Sequence, residues 1–165
     1  MIHPLAAIGE PPEHRLHRHK KTHPQYDDPF FQPLINETAT VEAFVTVDAG
    51  VFRHTKIGAR SWCMKKVHVG HDAIIGDDCE IAPLTSIGGE VELGHRVKVG
   101  QGAVFKPRVK VGNDAVIGMG AVVVKDVPAG ETWAGNPAKR LDRATGPVLT
   151  ESEVEGWELL AERIR

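Results

Sequence analysis

Apolar residues recur at every sixth position over a long central stretch of this chain. The frame runs Ile57, Cys63, Val69, Ile75, Ile81, Ile87, Leu93, Val99, Phe105, Val111, Ile117 and Val123. Eight of these twelve positions are followed directly by Gly, and the fifth position of each hexad, from Ser61 to Val127, is small or β-branched. A period of six is neither the 3.6 of a helix nor the two of an isolated strand. It predicts a parallel β-helix of hexapeptide repeats, in which each hexad supplies one short strand and one turn and three hexads close a triangular coil. The frame already exists at Ile2 and Ile8, is broken by an inserted loop over 10–34, and resumes at Ile35, Val41 and Val47. A four-residue excess within 48–56 predicts a second, shorter loop. Residues 1–140 therefore read as one all-β domain of between five and six coils.

After Val127 the repeat meets Pro128, Gly130, Gly135 and Pro137, residues that stop it. Residues 141–165 read as a linker and a C-terminal α-helix. Thr150-Glu151-Ser152-Glu153 has the form of a capping box. Val154, Trp157, Leu160, Ala161 and Ile164 then recur at helical spacing, which predicts an amphipathic helix over 151–164.

Three hexads per coil place residue i beside residue i+18, which sorts the turns into three corners. One carries Ala59-Arg60, Asp77-Asp78, His95-Arg96 and Asn113-Asp114 and reads as solvated. The second carries Lys65-Lys66, Pro83-Leu84, Gln101-Gly102 and Met119-Gly120, losing its charge toward the C-terminal coils. The third carries His71-Asp72, Gly89-Glu90, Pro107-Arg108 and Lys125-Asp126. The second and third are candidates for burial against another subunit or a ligand. The two cysteines, Cys63 and Cys79, fall at inward positions and read as small buried hydrophobes. The frame assigns them to different faces of the coil, which argues against a disulfide.

Composition narrows this little. The net charge of −2, with 25% charged residues, names no partner and argues against general nucleic-acid binding. The 5% of aromatic residues suits a core of Val, Ile and Ala stacked by repetition. The apolar runs are too short to span a bilayer. The first residues lack a basic region followed by an apolar one, so a cytoplasmic location is expected.

The chemistry lies in the third corner. His71 and Gly89 are eighteen residues apart, so they occupy equivalent positions in adjacent coils, about 5 Å from each other. An imidazole beside an unpaired backbone N–H is what acyl transfer requires. The ring takes the proton of an attacking amine or hydroxyl, and the amide stabilises the oxyanion of the tetrahedral intermediate. Gly at 89 also lets a ligand approach the backbone. Asp72 is placed to hold the imidazole in one tautomer. The plainer alternative for His71 is a surface turn histidine, one of nine in the chain.

The run Val67-His68-Val69-Gly70-His71-Asp72-Ala73-Ile74-Ile75-Gly76-Asp77 resembles the active-site coil of the left-handed β-helix acyltransferases. Within that family it is similar to the UDP-N-acetylglucosamine O-acyltransferases and the nucleotide-sugar N-acetyltransferases. The resemblance covers about residues 2–140, and left-handedness follows from it alone, because ordinary parallel crossovers are right-handed. It implies His71 as general base, Asp72 as its acidic neighbour, the Gly89 amide as oxyanion hole and His68 as a contact to the acceptor. It places Glu13 and His14 in the loop that meets the nucleotide sugar, where the lipid A enzymes carry Gln-Asp. Glu90 stands where those enzymes have His, and Phe105-Lys106 replaces a His-Gln pair. With the long C-terminal helical domain also missing, these departures argue against the lipid A reaction itself.

The segment from Gly118 to Pro128, followed by Gly135-Asn136-Pro137-Ala138-Lys139, resembles the closing coil of acetyl-CoA-dependent members. That implies acetyl-CoA as donor, with the pantetheine arm along backbone amides at Gly102, Ala103, Gly120 and Ala121. Lys125, Lys139 and Arg140 would meet its phosphates. It also implies a homotrimer with sites between subunits. The basic loop 14–23, rich in His, is read as a solvated loop, a clasp for a nucleotide diphosphate or, with no tight ligand spacing, a metal site; no metal is expected. Two other functions compete: a non-catalytic structural or binding β-helix, and a γ-carbonic-anhydrase-like zinc enzyme. The latter needs three histidines, and His54, His68, His71 and His95 lack that family's His-x4-His pair.

Overall fold

A computed structural model describes residues 1–10 and 31–141, and all regular structure in them is β. Glu13, His14, loop 14–23 and the helix expected over 151–164 lie outside the described residues. Among the described residues no helix is long and apolar enough to cross a membrane.

The strands are mostly two residues long and repeat at the predicted interval. They are β1 (Ala7–Glu10), β2 (Leu34–Ile35), β3 (Thr40–Val41), β4 (Thr46–Asp48), β5 (Lys56–Ile57), β6 (Trp62–Cys63), β7 (His68–Val69), β8 (Ile74–Ile75) and β9 (Glu80–Ile81). They continue with β10 (Ser86–Ile87), β11 (Glu92–Leu93), β12 (Lys98–Val99), β13 (Val104–Phe105), β14 (Lys110–Val111), β15 (Val116–Ile117), β16 (Val122–Val123), β17 (Thr132–Ala134) and β18 (Lys139–Arg140). They form three parallel faces, β1-β4-β7-β10-β13-β16, β2-β5-β8-β11-β14 and β3-β6-β9-β12-β15-β17-β18, the last ending in an antiparallel hairpin. The result is a solenoid of about six turns that fits a left-handed β-helix. Register follows the frame: His68 pairs with Ser86 and Ser86 with Val104, eighteen apart each time. Where the short loop intervenes the interval becomes 22, as in Val47 with Val69, so the excess is extruded and the frame restored. Ile2 and Ile8 pair with Val41 and Val47 across the long insertion.

The first and fifth residues of each hexad point inward and are almost all fully buried, stacking Ile57, Ile75 and Leu93 up one face and Val69, Ile87 and Phe105 up another. The fourth residue takes a left-handed backbone at nearly every corner, including Arg60, Asp72, Asp78, Glu90 and Arg96. For a non-glycine residue this costs about 1–2 kcal/mol. Stacking offsets the cost, because most of these amides bond to a carbonyl in the coil before, as Asp78 to Ala59, Glu90 to His71 and Arg96 to Asp77, all at 2.8 Å, while Arg60 and Asp72 donate to the hydroxyls of Thr38 and Thr55. The polar first corner adds two bidentate pairs between coils, Arg60 with Asp78 and Arg96 with Asp114.

The cysteines require a correction. Cys63 lies in β6, and Cys79 immediately precedes β9, which pairs with β6, so both belong to one face. The fifth hexad position already belongs to the next strand's face, which the assignment to different faces overlooked. Both thiols are free and fully buried; burial pushes Cys63 up to about 12 and raises Cys79 as well. The thiolate is the reactive form. Ellman's reagent is therefore expected to titrate neither thiol in the native protein and both in guanidinium; rapid native labelling would show that the coils open.

Candidate active site

His71 stands at the corner between β7 and β8, directly beneath Gly89. A Cβ on Gly89 would fall 2.3 Å from His71 Nε2, 2.7 Å from Cε1 and 2.8 Å from Cδ2. The ring therefore occupies the space that glycine leaves open. Among the described residues no acceptor lies on the Gly89 N–H, whereas the next amide, Glu90, donates to the His71 carbonyl.

His71 Nδ1 lies 2.7 Å from Asp72 Oδ2. The left-handed backbone at Asp72, with φ of 60°, lets a carboxylate meet the ring of its own neighbour. Asp72 is wholly buried, and the short loop grips it. Its Oδ1 accepts from the amides of Val51, Phe52 and Arg53 at 3.0, 2.8 and 2.7 Å. Three successive N–H groups make a concave anion site. The Asp72 N–H donates to Thr55 Oγ1 at 2.9 Å, and its carbonyl accepts from Arg53 Nε at 2.9 Å. Burial pushes the Asp72 carboxyl up, but the His71 N–H and the Arg53 and Phe52 amides outweigh it and hold the group below the ordinary carboxylate value. The resulting stability is present above the ordinary value and lost only as pH falls through the lowered one. Asp72 is therefore a carboxylate at neutral pH. With a carboxylate accepting at Nδ1, a neutral His71 carries its proton there and presents an unprotonated Nε2 toward Gly89.

The other expected contacts separate into groups. His68, in β7, points outward one strand from the pair; Thr46 Oγ1 lies 2.8 Å from its Nδ1 and Asp48 Oδ2 3.9 Å from its Nε2. Glu90 stands above Asp72 and accepts from Arg108 Nε at 3.0 Å. Lys125 lies on the corner of His71, three coils on and about 14 Å away at one strand spacing per coil. Gly102 and Gly120 stack on the second corner, while Lys139 and Arg140 sit on the terminal hairpin, where Arg140 pairs with Glu131 at 3.3 Å. One chain thus does not bring the proposed donor contacts together. The expected pantetheine amides are also engaged: Gly102 donates to Pro83, Ala103 to Gly100, Gly120 to Gln101 and Ala121 to Gly118. The side chains of Ala103 and Ala121 face the core. The bonds of Gly102 and Gly120 run to the coil before, and those of Ala103 and Ala121 close their own turns. Among the described residues no three His, Cys, Asp or Glu side chains are grouped to hold a metal ion.

Sequence reasoning missed Val51, Phe52, Arg53 and Thr55 as parts of this site. The available signal was the four-residue excess, with Gly50 at its start. A Cβ on Gly50 would lie 1.7 Å from the Arg53 carbonyl, so only glycine permits this loop.

Residues 54–89 match the family model of the bacterial transferase hexapeptide (six repeats). The chain is 39% identical over 110 residues to UDP-3-O-acylglucosamine N-acyltransferase from Caulobacter sp. (strain K31), covering 67% of this chain and 32% of that protein. It thus spans about a third of that relative's length. UDP-N-acetylglucosamine O-acyltransferase from Moraxella catarrhalis superposes with a TM-score of 0.75 over 98% of this chain and 70% of that one, at 21% identity, which speaks for the fold. A variant of perosamine N-acetyltransferase from Caulobacter crescentus, solved with CoA and GDP-perosamine, superposes with a TM-score of 0.58 at 25% identity over 78% of this chain and 65% of that one. The chain is a hexapeptide-repeat β-helix similar to the acyltransferases of nucleotide-linked sugars.

Proposed function

We propose that this protein transfers an acyl group, acetyl in the simplest case, from CoA to an amine or hydroxyl of a nucleotide-linked sugar. The observation that carries this reading is His71, held at Nδ1 by Asp72 and placed with Nε2 against Gly89. Nε2 takes the proton of the acceptor N–H or O–H as its heteroatom attacks the thioester carbonyl. The Gly89 N–H donates to the oxyanion that forms. Collapse of the intermediate breaks the C–S bond, and the imidazolium returns its proton to the leaving thiolate. Asp72 remains anionic and stabilises the imidazolium throughout.

A homotrimer completes the site in this reading. His71 and the groups expected to meet CoA lie on different corners and ends of one chain, so a neighbouring subunit must bring them together. The second corner supports this, since Phe44, Leu84 and Met119 are 57, 62 and 76% exposed along it. Apolar side chains aligned this way suit a subunit contact better than water.

The test supplies acetyl-CoA with a panel of UDP- and GDP-linked amino sugars and follows release of the free thiol. Turnover with at least one nucleotide sugar, together with a rise in melting temperature on adding CoA, is expected. The absence of both thiol release and a CoA-dependent shift would overturn the proposal.

A further inference from the structure

The short loop does more than bridge two coils. Three of the four polar groups of Asp72 are held by residues 51–55, leaving Oδ2 alone for His71. The Arg53 side chain adds a tie between the loop and the solenoid. Its Nε donates to the Asp72 carbonyl at 2.9 Å, and its Nη1 donates to Glu92 Oε1, also at 2.9 Å. Glu92 lies on β11, one coil beyond β8, and its other oxygen is 3.2 Å from Lys110 Nζ on β14. Arg53 and then Lys110, with burial opposing them, keep the Glu92 carboxyl below its ordinary value. One guanidinium thus ties the loop to the residue it grips and to the neighbouring coil.

We propose that Arg53 is a positioning residue, which locks the 51–55 loop so that the Asp72 carboxylate holds His71 in the tautomer with its proton on Nδ1. The role in turnover rests on the acyl-transfer reading; the role in setting the tautomer does not. Arg53 touches neither His71 nor the Gly89 amide, so its effect must pass through Asp72. Without the clamp, the loop amides can leave Oδ1, and the carboxylate can rotate away from Nδ1. The proton can then move to Nε2, where a base is needed.

The experiment has two readouts on the full chain. With histidine labelled in 15N, long-range proton–nitrogen spectra of the ligand-free protein report the His71 tautomer directly. The neutral ring is expected as Nδ1–H in the wild type and as a mixture in Arg53→Ala. In the acyl-transfer assay, Arg53→Ala is expected to lower kcat about tenfold with little change in KM for CoA. In an Asp72→Asn background, where Nδ1 has lost its carboxylate, the same change is expected to cost less than twofold. Arg53→Lys, which keeps the charge beside Glu92 but not the fork, is expected to fall between and serves if Arg53→Ala does not fold. An unchanged tautomer in these variants, or an equal loss in both backgrounds, overturns the inference. A tautomer that shifts in a protein without acyl-transfer activity retains the positioning role and rejects the acyl-transfer reading.

Discussion

His71→Ala is expected to lower kcat/KM for acyl transfer by about 10²–10⁴-fold, the usual worth of a general base. CoA should bind within about twofold of the wild type. Among the described residues the imidazole meets Asp72 at Nδ1 and faces Gly89 with Nε2. No strand pairing passes through its side chain, and its backbone bonds, such as the carbonyl to the Glu90 amide, do not depend on the ring. Removing the ring leaves Asp72 Oδ2 without its donor, although Oδ1 keeps three amides. An unsatisfied buried acceptor costs about 1–3 kcal/mol, so the melting temperature should fall by a few degrees without loss of the fold. Steady-state kinetics beside calorimetric titration with CoA would separate the two effects. Wild-type turnover in a folded His71→Ala protein would eliminate His71 as the base.

How much of this the sequence reveals depends on whether side-chain identity or backbone shape carries the information. The interval of eighteen locates Gly89 over His71 because a solenoid turns sequence distance into height. The interval of 22 across 48–56 is legible for the same reason. The purpose of the extra residues is not, because Val51, Phe52 and Arg53 act through their amides, and their side chains do not announce an anion site. The Arg53–Glu92 clamp spans 39 residues between a loop and a strand and follows no repeat. The expected donor contacts rested on residue size. Small residues at Gly102 and Gly120 suggested exposed amides, yet at nearly every corner the amide of the fourth hexad position, theirs included, donates to a carbonyl in the coil before it. Gly89 is the third residue of its hexad, and among the described residues its N–H has no acceptor.

Gly89→Ala provides the second large effect and separates catalysis from stability. Glycine at 89 is not required by its own backbone, since it is absent from the positions with positive φ. It is required by its neighbour: the three atoms nearest to a new Cβ all belong to the His71 ring. The cheapest relief is for the ring to swing aside, which breaks the 2.7 Å bond to Asp72 Oδ2 and removes Nε2 from the acceptor. Turnover is expected to fall about 10²-fold or more, comparable to losing an oxyanion donor even though the Gly89 N–H remains. Because both changes remove the same imidazole from its place, the His71→Ala, Gly89→Ala double variant should be little worse than His71→Ala alone. Gly88→Ala is the control with opposite character. Its Cβ would lie 2.7 Å from the Phe105 carbonyl and 2.9 Å from the Pro107 nitrogen, backbone atoms of the next coil that cannot rotate away. That variant should lose melting temperature first, whereas Gly89→Ala should lose kcat first. If Gly89→Ala unfolds like Gly88→Ala while its folded fraction turns over normally, the ring does not occupy the space above Gly89 during catalysis.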